Sequence, residues 1–132
     1  MKVTPISVSA GITGFESPAS EYTQLGLDLD ALLIKHPHAT YFSRVSGESM
    51  RDDGIFDDDI LIVDRAVSVS NNSIIVANYN GEFVCKRIDT QRGLLLSSND
   101  DYAPIFIHDL DSFSVEGVVI CSLRCHAPVS WC

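Results

Sequence analysis

Short runs of apolar residues, each followed by a turn signal, fill the chain downstream of residue 40. They read as about seven strands, at residues 41–45, 60–63, 73–79, 82–88, 94–96, 105–107 and 114–123. Two of these runs flank Asn80-Gly81, a dipeptide that favours the positive φ angles of a two-residue hairpin turn. Short strands with turns at about every 8–12 residues are typical of barrels and sandwiches. The pattern therefore predicts an all-β domain.

A cluster of leucines precedes the strands, and its members are Leu25, Leu27, Leu29, Leu32 and Leu33. The last three fall at helical spacing and Asp28 is a suitable N-cap, so one short helix is predicted. Pro37 ends this helix, because the residue before a proline is biased away from helical geometry. We expect the leucine cluster to form core or dimer contacts rather than a ligand groove.

Residues 1–24 show neither the period of a strand nor that of a helix. Prolines and glycines lie among small and hydroxyl side chains there, which is typical of an extended or flexible arm. We therefore divide the chain into a flexible N-terminal arm, residues 1–24, and a β domain, residues 25–132. The start of the arm imitates a signal peptide, but Thr4, Pro5, Ser7 and Ser9 interrupt the apolar region that a signal peptide needs.

Composition and charge narrow the function classes. The 132 residues carry 9 basic and 18 acidic side chains, which gives a net charge of −9. Such a surface repels the phosphate backbone, so no direct DNA binding is expected. No apolar run approaches the ~20 residues that span a bilayer, so no membrane association is expected. Without a secretory signal the protein should be cytoplasmic, with its four cysteines as reduced thiols.

Two residues are candidates for catalysis. Ser49 lies in the segment Ser-Gly-Glu-Ser-Met at residues 46–50, where a serine is usually only a turn residue but becomes a nucleophile if a base accepts its proton. Lys86 lies on the second hairpin strand and shares a face with Val84 and Ile88. If that face is buried, lost hydration lowers the lysine pKa and the neutral amine can be this base. Otherwise the side chain extends to water at the strand edge.

The remaining cysteines and histidines are interpreted as structural. Four side chains of zinc-ligand type lie near the C-terminus, namely Cys121, Cys125, His126 and Cys132. Their spacing matches no standard pair of zinc knuckles, so buried or tail thiols are expected and no metal. Cys85 is expected to be a small core residue on the face opposite Lys86. His36 and His38 are interpreted as exposed imidazoles in the turn after the helix.

An acidic run follows the candidate serine, with aspartates at positions 52, 53, 57, 58 and 59. The run lacks the ligand order of an EF-hand and the glutamate at its twelfth position. We therefore interpret it as a solvated acidic turn.

Several ordered motifs along the chain point to one family. They are Gly-Phe-Glu-Ser-Pro-Ala at 14–19, Leu-Leu-Ile-Lys-His-Pro at 32–37, Ala-Thr-Tyr-Phe at 39–42, Ser-Gly-Glu-Ser-Met at 46–50, Asp-Gly-Ile at 53–55, the run at 57–64, Gly-Glu-Phe at 81–83 with Lys86, Tyr-Ala-Pro-Ile at 102–105, and the run at 115–120. Together they resemble the LexA/UmuD family of serine–lysine autoproteases, over roughly residues 14–120. Asp100-Asp101 departs from the family, which usually has small uncharged residues after Asn99. The resemblance implies a barrel-like β domain with a flexible arm.

The resemblance also implies roles for the candidate residues. Ser49 corresponds to the nucleophile and Lys86 to the general base. The substrate is the protein's own arm, cut once at Thr13-Gly14, and no cofactor takes part. The family prefers Cys or Ala before this glycine, so Thr13 departs from the pattern. Slow cleavage is expected, because a β-branched residue is stiff and crowds the attacking hydroxyl.

A second bond, Ala10-Gly11, carries the Ala-Gly pair that is commoner in the family, although its register relative to Ser49 differs by three residues. It is the second choice for the cut. A flexible arm can lie across a sheet edge as an added strand and present one peptide bond to a serine. The oxyanion formed on attack needs backbone N–H donors, which the turn at residues 47–50 is expected to supply.

Partners follow from the resemblance as well. The family cleaves when a RecA filament on single-stranded DNA stimulates it, and it works as a homodimer. The trimmed chain then serves an error-prone translesion polymerase of the SOS response, beside a UmuC-like Y-family subunit. LexA-like repressors carry an N-terminal DNA-binding domain, and the 13 residues before the expected cut are too few for one. A repressor is therefore not expected.

Two other functions stay open. One is an uncleaved, dimeric binding module that regulates a polymerase and makes little use of its serine–lysine pair, an alternative that Thr13 favours. The other is a signal-peptidase-like enzyme that acts on other chains, which the lack of a membrane anchor disfavours. Whether the chain shortens by about 13 residues in a Ser49-dependent way distinguishes the autoprotease from the binding module.

Overall fold

A computed structural model describes residues 28–128 of the chain. The chain divides into two units, Met1–Lys35 and His36–Cys132. The predicted boundary between arm and β domain lies outside the described residues, and so do both predicted cleavage sites, Thr13-Gly14 and Ala10-Gly11.

The described part of the first unit contains the predicted helix, α1, at Leu29–Leu33. Its N-cap is Asp28, whose carboxylate accepts a hydrogen bond from the backbone N–H of Ala31 at 3.2 Å. The helix ends earlier than Pro37 requires, because Ile34 already has an extended backbone.

Among the described residues of the second unit, seven antiparallel strands form one sheet. In chain order they are β1 (Thr40–Arg44), β2 (Ile60–Asp64), β3 (Ile74–Tyr79), β4 (Glu82–Asp89), β5 (Leu94–Leu96), β6 (Ile105–Phe106) and β7 (Phe113–Leu123). Across the sheet the order is β1-β2-β7-β3-β4-β5-β6. Two short 3-10 turns, Pro37–Ala39 and Arg51–Asp53, complete the second unit's regular structure. The prediction of a mostly β fold with one short helix is confirmed.

The hairpin of β3 and β4 forms at the predicted dipeptide. Asn80 and Gly81 have φ angles of 51° and 87°, and Tyr79 pairs directly with Glu82 across the turn. A turn of this kind fixes the register of the whole hairpin. Further along the same ladder, Lys86 therefore lies opposite Ile75, which is fully buried.

The core consists of two apolar clusters. The first contains Met50, Ile55, Leu61, Val63 and Val76, and the second contains Ile75, Ala77, Ile88, Leu95 and Val118. Successive residues of β3 alternate between them, since Ile75 and Ala77 belong to one cluster and Val76 to the other. The middle of the central strands therefore buries side chains on both faces, which leaves a polar side chain there with little access to water.

Two buried aspartates tie the second unit together. Asp59, which is 2% exposed, accepts hydrogen bonds from the guanidinium of Arg124 at 2.9 and 3.0 Å. The pKa of Asp59 is lowered, chiefly by that contact. Asp64 on β2 is bound by Nδ1 of His36 at 2.6 Å, and this bond is the main cause of its lowered pKa. Buried carboxylates are tolerated when they are paired in this way.

These contacts qualify two interpretations of the sequence. The aspartates at 52, 57 and 58 are exposed, as a solvated acidic turn requires, but the interpretation is wrong for Asp59. Its partner, Arg124, lies 65 residues away in the chain, so no local pattern marks the pair. His36 and His38 are exposed as predicted, although His36 also bonds Asp64.

Gly117 marks a close approach between two neighbouring strands. This residue of β7 has φ +146°, and a Cβ added to it would lie 2.6 Å from Cγ1 of Val63 and 3.3 Å from the carbonyl oxygen of Asp64. Both of these residues belong to β2, which pairs with β7. Only glycine therefore allows β2 and β7 to approach at this point.

We expect Gly117→Ala to lower the free energy of unfolding by about 2–5 kcal/mol, from backbone strain of about 1–2 and overpacking of about 1–3 kcal/mol. The matched control is Gly93→Ala, because Gly93 also has a positive φ but nothing within 4 Å of an added Cβ. That control should lose only the strain, about 1–2 kcal/mol. Urea unfolding of both variants measures the difference, and equal losses would contradict the close approach.

Candidate active site

The loop after β1 carries Ser49 between two local anchors. Gly47 adopts φ +97° and donates its backbone N–H to the carboxylate of Asp57 at 2.7 Å, which fixes the start of the turn. Met50, immediately after Ser49, is 2% exposed and belongs to the first core cluster. Ser49 itself is half-buried. A hydroxyl in this setting is held by its backbone while it still faces open space.

Lys86 lies on β4 with its side chain 7% exposed. Burial lowers the pKa of its ammonium group below the ordinary value, against a smaller opposing effect of Cys85. The Nζ atom donates a hydrogen bond to Oγ of Ser97 at 2.7 Å, and it lies 5.2 Å from the centre of the Tyr102 ring. Of the two interpretations of Lys86, the buried face is therefore correct and the solvent-extended lysine is wrong.

Ser49 and Lys86 line one cleft of about 320 Å³. The rim also includes Glu48, Phe83 and Tyr102, and both aromatic side chains are largely exposed. The structure thus brings together the two residues that the sequence singles out, although they lie 37 positions apart along the chain. A hydroxyl and a poorly hydrated amine at one open cleft are the components of serine–lysine chemistry.

Residues 97–102, which we call the bridging loop, connect the serine loop with the lysine. The side-chain amide of Asn99, which is 5% exposed, donates to the carbonyl oxygen of Glu48 at 2.8 Å. The backbone N–H of Asp52 donates to the carbonyl oxygen of Ser98 at 2.7 Å. Ser97 and Tyr102 of the same loop contact the lysine amine. One loop therefore touches both halves of the candidate site.

Asp53 adds a second connection between the two halves. Its carboxylate accepts hydrogen bonds from the Arg87 guanidinium, at 2.8 Å, and from the Ser98 hydroxyl. These bonds outweigh the effect of burial and lower the pKa of Asp53. Arg87 is the residue after Lys86, and Asp53 ends the 3-10 turn after Ser49. The ion pair therefore links the backbone beside the lysine to the backbone beside the serine.

Comparisons with known proteins place the chain in a family. The family model described as "Peptidase S24-like" matches residues 3–120. The chain belongs to this peptidase family. It is 46% identical to protein MucA of Salmonella typhimurium over 116 residues, which cover 86% of this chain and 79% of MucA. It is 39% identical to protein SamA of Salmonella typhimurium over 103 residues, 77% of this chain and 74% of SamA.

A LexA repressor is a further relative of this S24 chain. The repressor of Bordetella pertussis is 38% identical over 109 residues, which cover 80% of this chain but only 50% of the repressor. The resemblance to the LexA/UmuD family is therefore confirmed. Because the S24 model spans both Ser49 and Lys86, the two residues lie in the part of the chain that the family shares.

The sequence does not reveal the bridging loop as part of the site. Ser97 and Asn99 lie 11 and 51 positions from their partners Lys86 and Glu48, and neither occurs in a motif with known chemistry. One feature of the sequence does point to this loop, namely Asp100-Asp101, where the family usually has small uncharged residues. The structure places both aspartates, exposed, in the loop that covers the lysine.

The cysteines of the described residues have different roles. Cys85 packs against the first core cluster while its neighbours Val84 and Ile88 belong to the second, as the predicted alternation requires. Burial raises the pKa of the Cys85 thiol to about 11, so it stays protonated at neutral pH. Cys85 and Cys121 are free thiols, but Cys125 is disulfide-bonded, so the expectation of four reduced thiols is wrong.

No group of three or more His, Cys, Asp or Glu side chains within residues 28–128 is arranged to hold a metal ion. No helix in the same range has the length and hydropathy needed to cross a membrane.

The burial of Lys86 predicts how stability depends on pH. A depressed pKa means that the unfolded chain binds more protons than the folded one, so stability rises with pH between the folded pKa and the ordinary value of about 10.4. In a Ser49→Ala background, which keeps the chain intact, we expect Lys86→Met to abolish this rise. The methionine variant should be at least as stable at neutral pH, because it carries no buried ammonium.

Urea unfolding at several pH values between about 7 and 9 measures the effect. Cys85, whose pKa is raised to about 11, lowers stability as the pH rises above the ordinary thiol value of about 8.5, but both proteins keep this thiol, so the difference between them reports on Lys86. If the free energy of unfolding changed with pH equally in the proteins with Lys86 and with Lys86→Met, the result would show that Lys86 is not buried as an ammonium.

Proposed function

We propose that this chain is a self-cleaving serine protease in which Ser49 is the nucleophile and Lys86 the general base. The substrate is its own N-terminal arm, cut at Thr13-Gly14. The observation that carries the proposal is the shared cleft, which is lined by a half-buried serine and by a buried lysine with a lowered pKa. Membership of a peptidase family supports it.

The reaction follows from these two groups. Neutral Lys86 takes the proton of the Ser49 hydroxyl as Oγ forms a bond to the carbonyl carbon of Thr13. The C–N bond to Gly14 then breaks, and the Lys86 ammonium returns the proton to the departing amine. The same lysine then takes a proton from water, whose oxygen attacks the Ser49 ester. As the C–O bond to Oγ breaks, the lysine returns that proton to Oγ, and residues 1–13 leave as an acid that ionises to a free carboxylate.

The negative oxygen formed on attack needs hydrogen-bond donors. The N–H of Gly47 is engaged by Asp57, so it does not serve this oxygen. We assign the role to the remaining amides of the same turn, residues 48–50. They lie beside the nucleophile on the wall of the cleft.

The biological role that fits this chemistry is in the SOS response to DNA damage. Trimming of the arm, stimulated by a RecA filament on single-stranded DNA, converts a cytoplasmic homodimer into the subunit of a translesion polymerase with a UmuC-like Y-family partner. The net charge of −9 agrees with a protein partner rather than with DNA as the binding surface.

The second candidate function is an uncleaved dimeric module that regulates such a polymerase. Thr13 is the observation that favours it, because a β-branched residue before the scissile bond restricts the backbone and hinders attack. In this case the arm stays attached and the dyad is idle.

Alkaline pH tests the autoprotease without any partner. Raising the pH deprotonates Lys86, so self-cleavage of the wild type should accelerate and then level off above the lysine pKa. Intact-mass measurement over hours should show loss of residues 1–13 in the wild type but not in Ser49→Ala or Lys86→Ala. Loss of residues 1–10 instead would move the cut to Ala10-Gly11. No shortening in alkali or with an activated RecA filament would leave the binding module.

The residue before the cut provides a separate test. We expect Thr13→Ala to raise the first-order rate of cleavage about tenfold, because alanine removes the branched side chain next to the attacked carbonyl. Thr4→Ala, the same change elsewhere in the arm, is the control and should leave the rate unchanged. A rate that is insensitive to residue 13 would argue against Thr13-Gly14 as the scissile bond.

A further inference from the structure

Ser97 holds the amine of the lysine at the candidate site. It follows β5 directly, its side chain is half-buried, and its hydroxyl accepts the hydrogen bond from Lys86 Nζ at 2.7 Å. The Tyr102 ring covers the same amine from a centroid distance of 5.2 Å. Two residues of the bridging loop therefore restrict the space in which Nζ can turn.

A general base must present its lone pair as well as lose its proton. A neutral amine has two N–H groups and one lone pair, so fixing one N–H also limits where the lone pair points. We propose that Ser97 is a positioning residue whose hydroxyl binds one N–H of Lys86 and thereby directs the lone pair toward the hydroxyl of Ser49. The inference rests on the proposed self-cleavage and adds a third residue to it.

The position of Ser97 relative to the nucleophile is itself fixed. Asn99 donates to the carbonyl oxygen of Glu48, the residue before Ser49, and Ser98 accepts from the N–H of Asp52. Both bonds lie within two residues of Ser97 along the bridging loop. If the loop that carries Ser49 moves, these bonds move Ser97 with it. The distance between Oγ of Ser49 and Nζ of Lys86 is thereby maintained.

The electrostatic surroundings of the amine are simple. Its titratable neighbours are Cys85 and Tyr102, and the same cleft is lined by the charged side chains of Glu48 and Arg44. The negative charge of Asp53 contributes to the raised pKa of Cys85. Cys85 has its pKa raised to about 11, so it stays neutral while the lysine titrates. The titration of Lys86 below about pH 10 therefore takes place beside a neutral Cys85.

The test compares Ser97→Ala with Ser98→Ala, using the full chain. Both variants remove one hydroxyl from the bridging loop, but that of Ser98 binds Asp53 rather than Lys86.

The first measurement is the pH profile of self-cleavage. Ser97→Ala should lower the plateau rate about tenfold to a hundredfold, through misplacement of the base. Its midpoint should fall to lower pH, because a hydroxyl that accepts from the ammonium favours the charged form. Ser97→Thr, which keeps the hydroxyl, should restore both values.

The second measurement is independent of activity. The chain has three lysines, Lys2, Lys35 and Lys86, so the ε-carbon signals of lysine give a simple NMR spectrum, which Lys86→Met assigns. In a Ser49→Ala background, Ser97→Ala should lower the pH midpoint of Lys86, and Ser98→Ala should not.

The outcomes separate the two proposals. The positioning role is supported if Ser97→Ala, but not Ser98→Ala, lowers both the plateau rate and the pH midpoint of self-cleavage. A general loss of stability would change the rate without moving the pH at which the lysine titrates. Equal profiles for Ser97→Ala and Ser98→Ala, or a Lys86 signal that does not move, overturn it. A wild type that never cleaves overturns the proposed function. The NMR midpoint then decides whether Ser97 is the partner of Lys86.

Discussion

The side chain of Lys86 ends in an amine that the fold keeps from water, and much of the local structure serves to sustain that burial. An unpaired ammonium in an apolar setting costs several kcal/mol, so it tends to lose its proton or find a partner. Here it has both a lowered pKa and a hydroxyl partner in Ser97. The central strands supply the setting, because β3 and β4 bury side chains on both faces. The lowered pKa of this amine is therefore a consequence of sheet packing.

The contacts around the cleft show how polar groups secure a site whose parts come from distant segments. The serine loop follows β1, the lysine lies on β4, and the bridging loop follows β5. Asp53 binds both Arg87 and Ser98, so a single carboxylate joins all three segments. Networks of this kind stabilise one arrangement because each member loses its partners if another moves.

Local pattern predicts the strands, the short helix and the hairpin at Asn80-Gly81, because each depends on neighbouring residues and on turn chemistry. Ser49 and Lys86 emerge from residue type, strand alternation and resemblance, and the structure brings both to one cleft. The pair of Asp59 with Arg124 and the contacts of Asn99 could not be predicted, since they join segments 65 and 51 positions apart. Such contacts depend on how the sheet closes over its core. The disulfide at Cys125 could not be predicted, because residue type and spacing do not determine which thiols come close enough to pair.

The bond between His36 and Asp64 has a consequence for kinetics. It fastens the first residue of the second unit to β2, so the covalent tether between the β domain and residue 14 is only about 20 residues long. A chain of that length spans at most about 75 Å, and tethers of this reach can hold two groups at millimolar effective concentrations. For the self-cleavage proposed above, a cut within one chain would therefore need only a weak fit between arm and cleft, and its rate would not change when the protein is diluted.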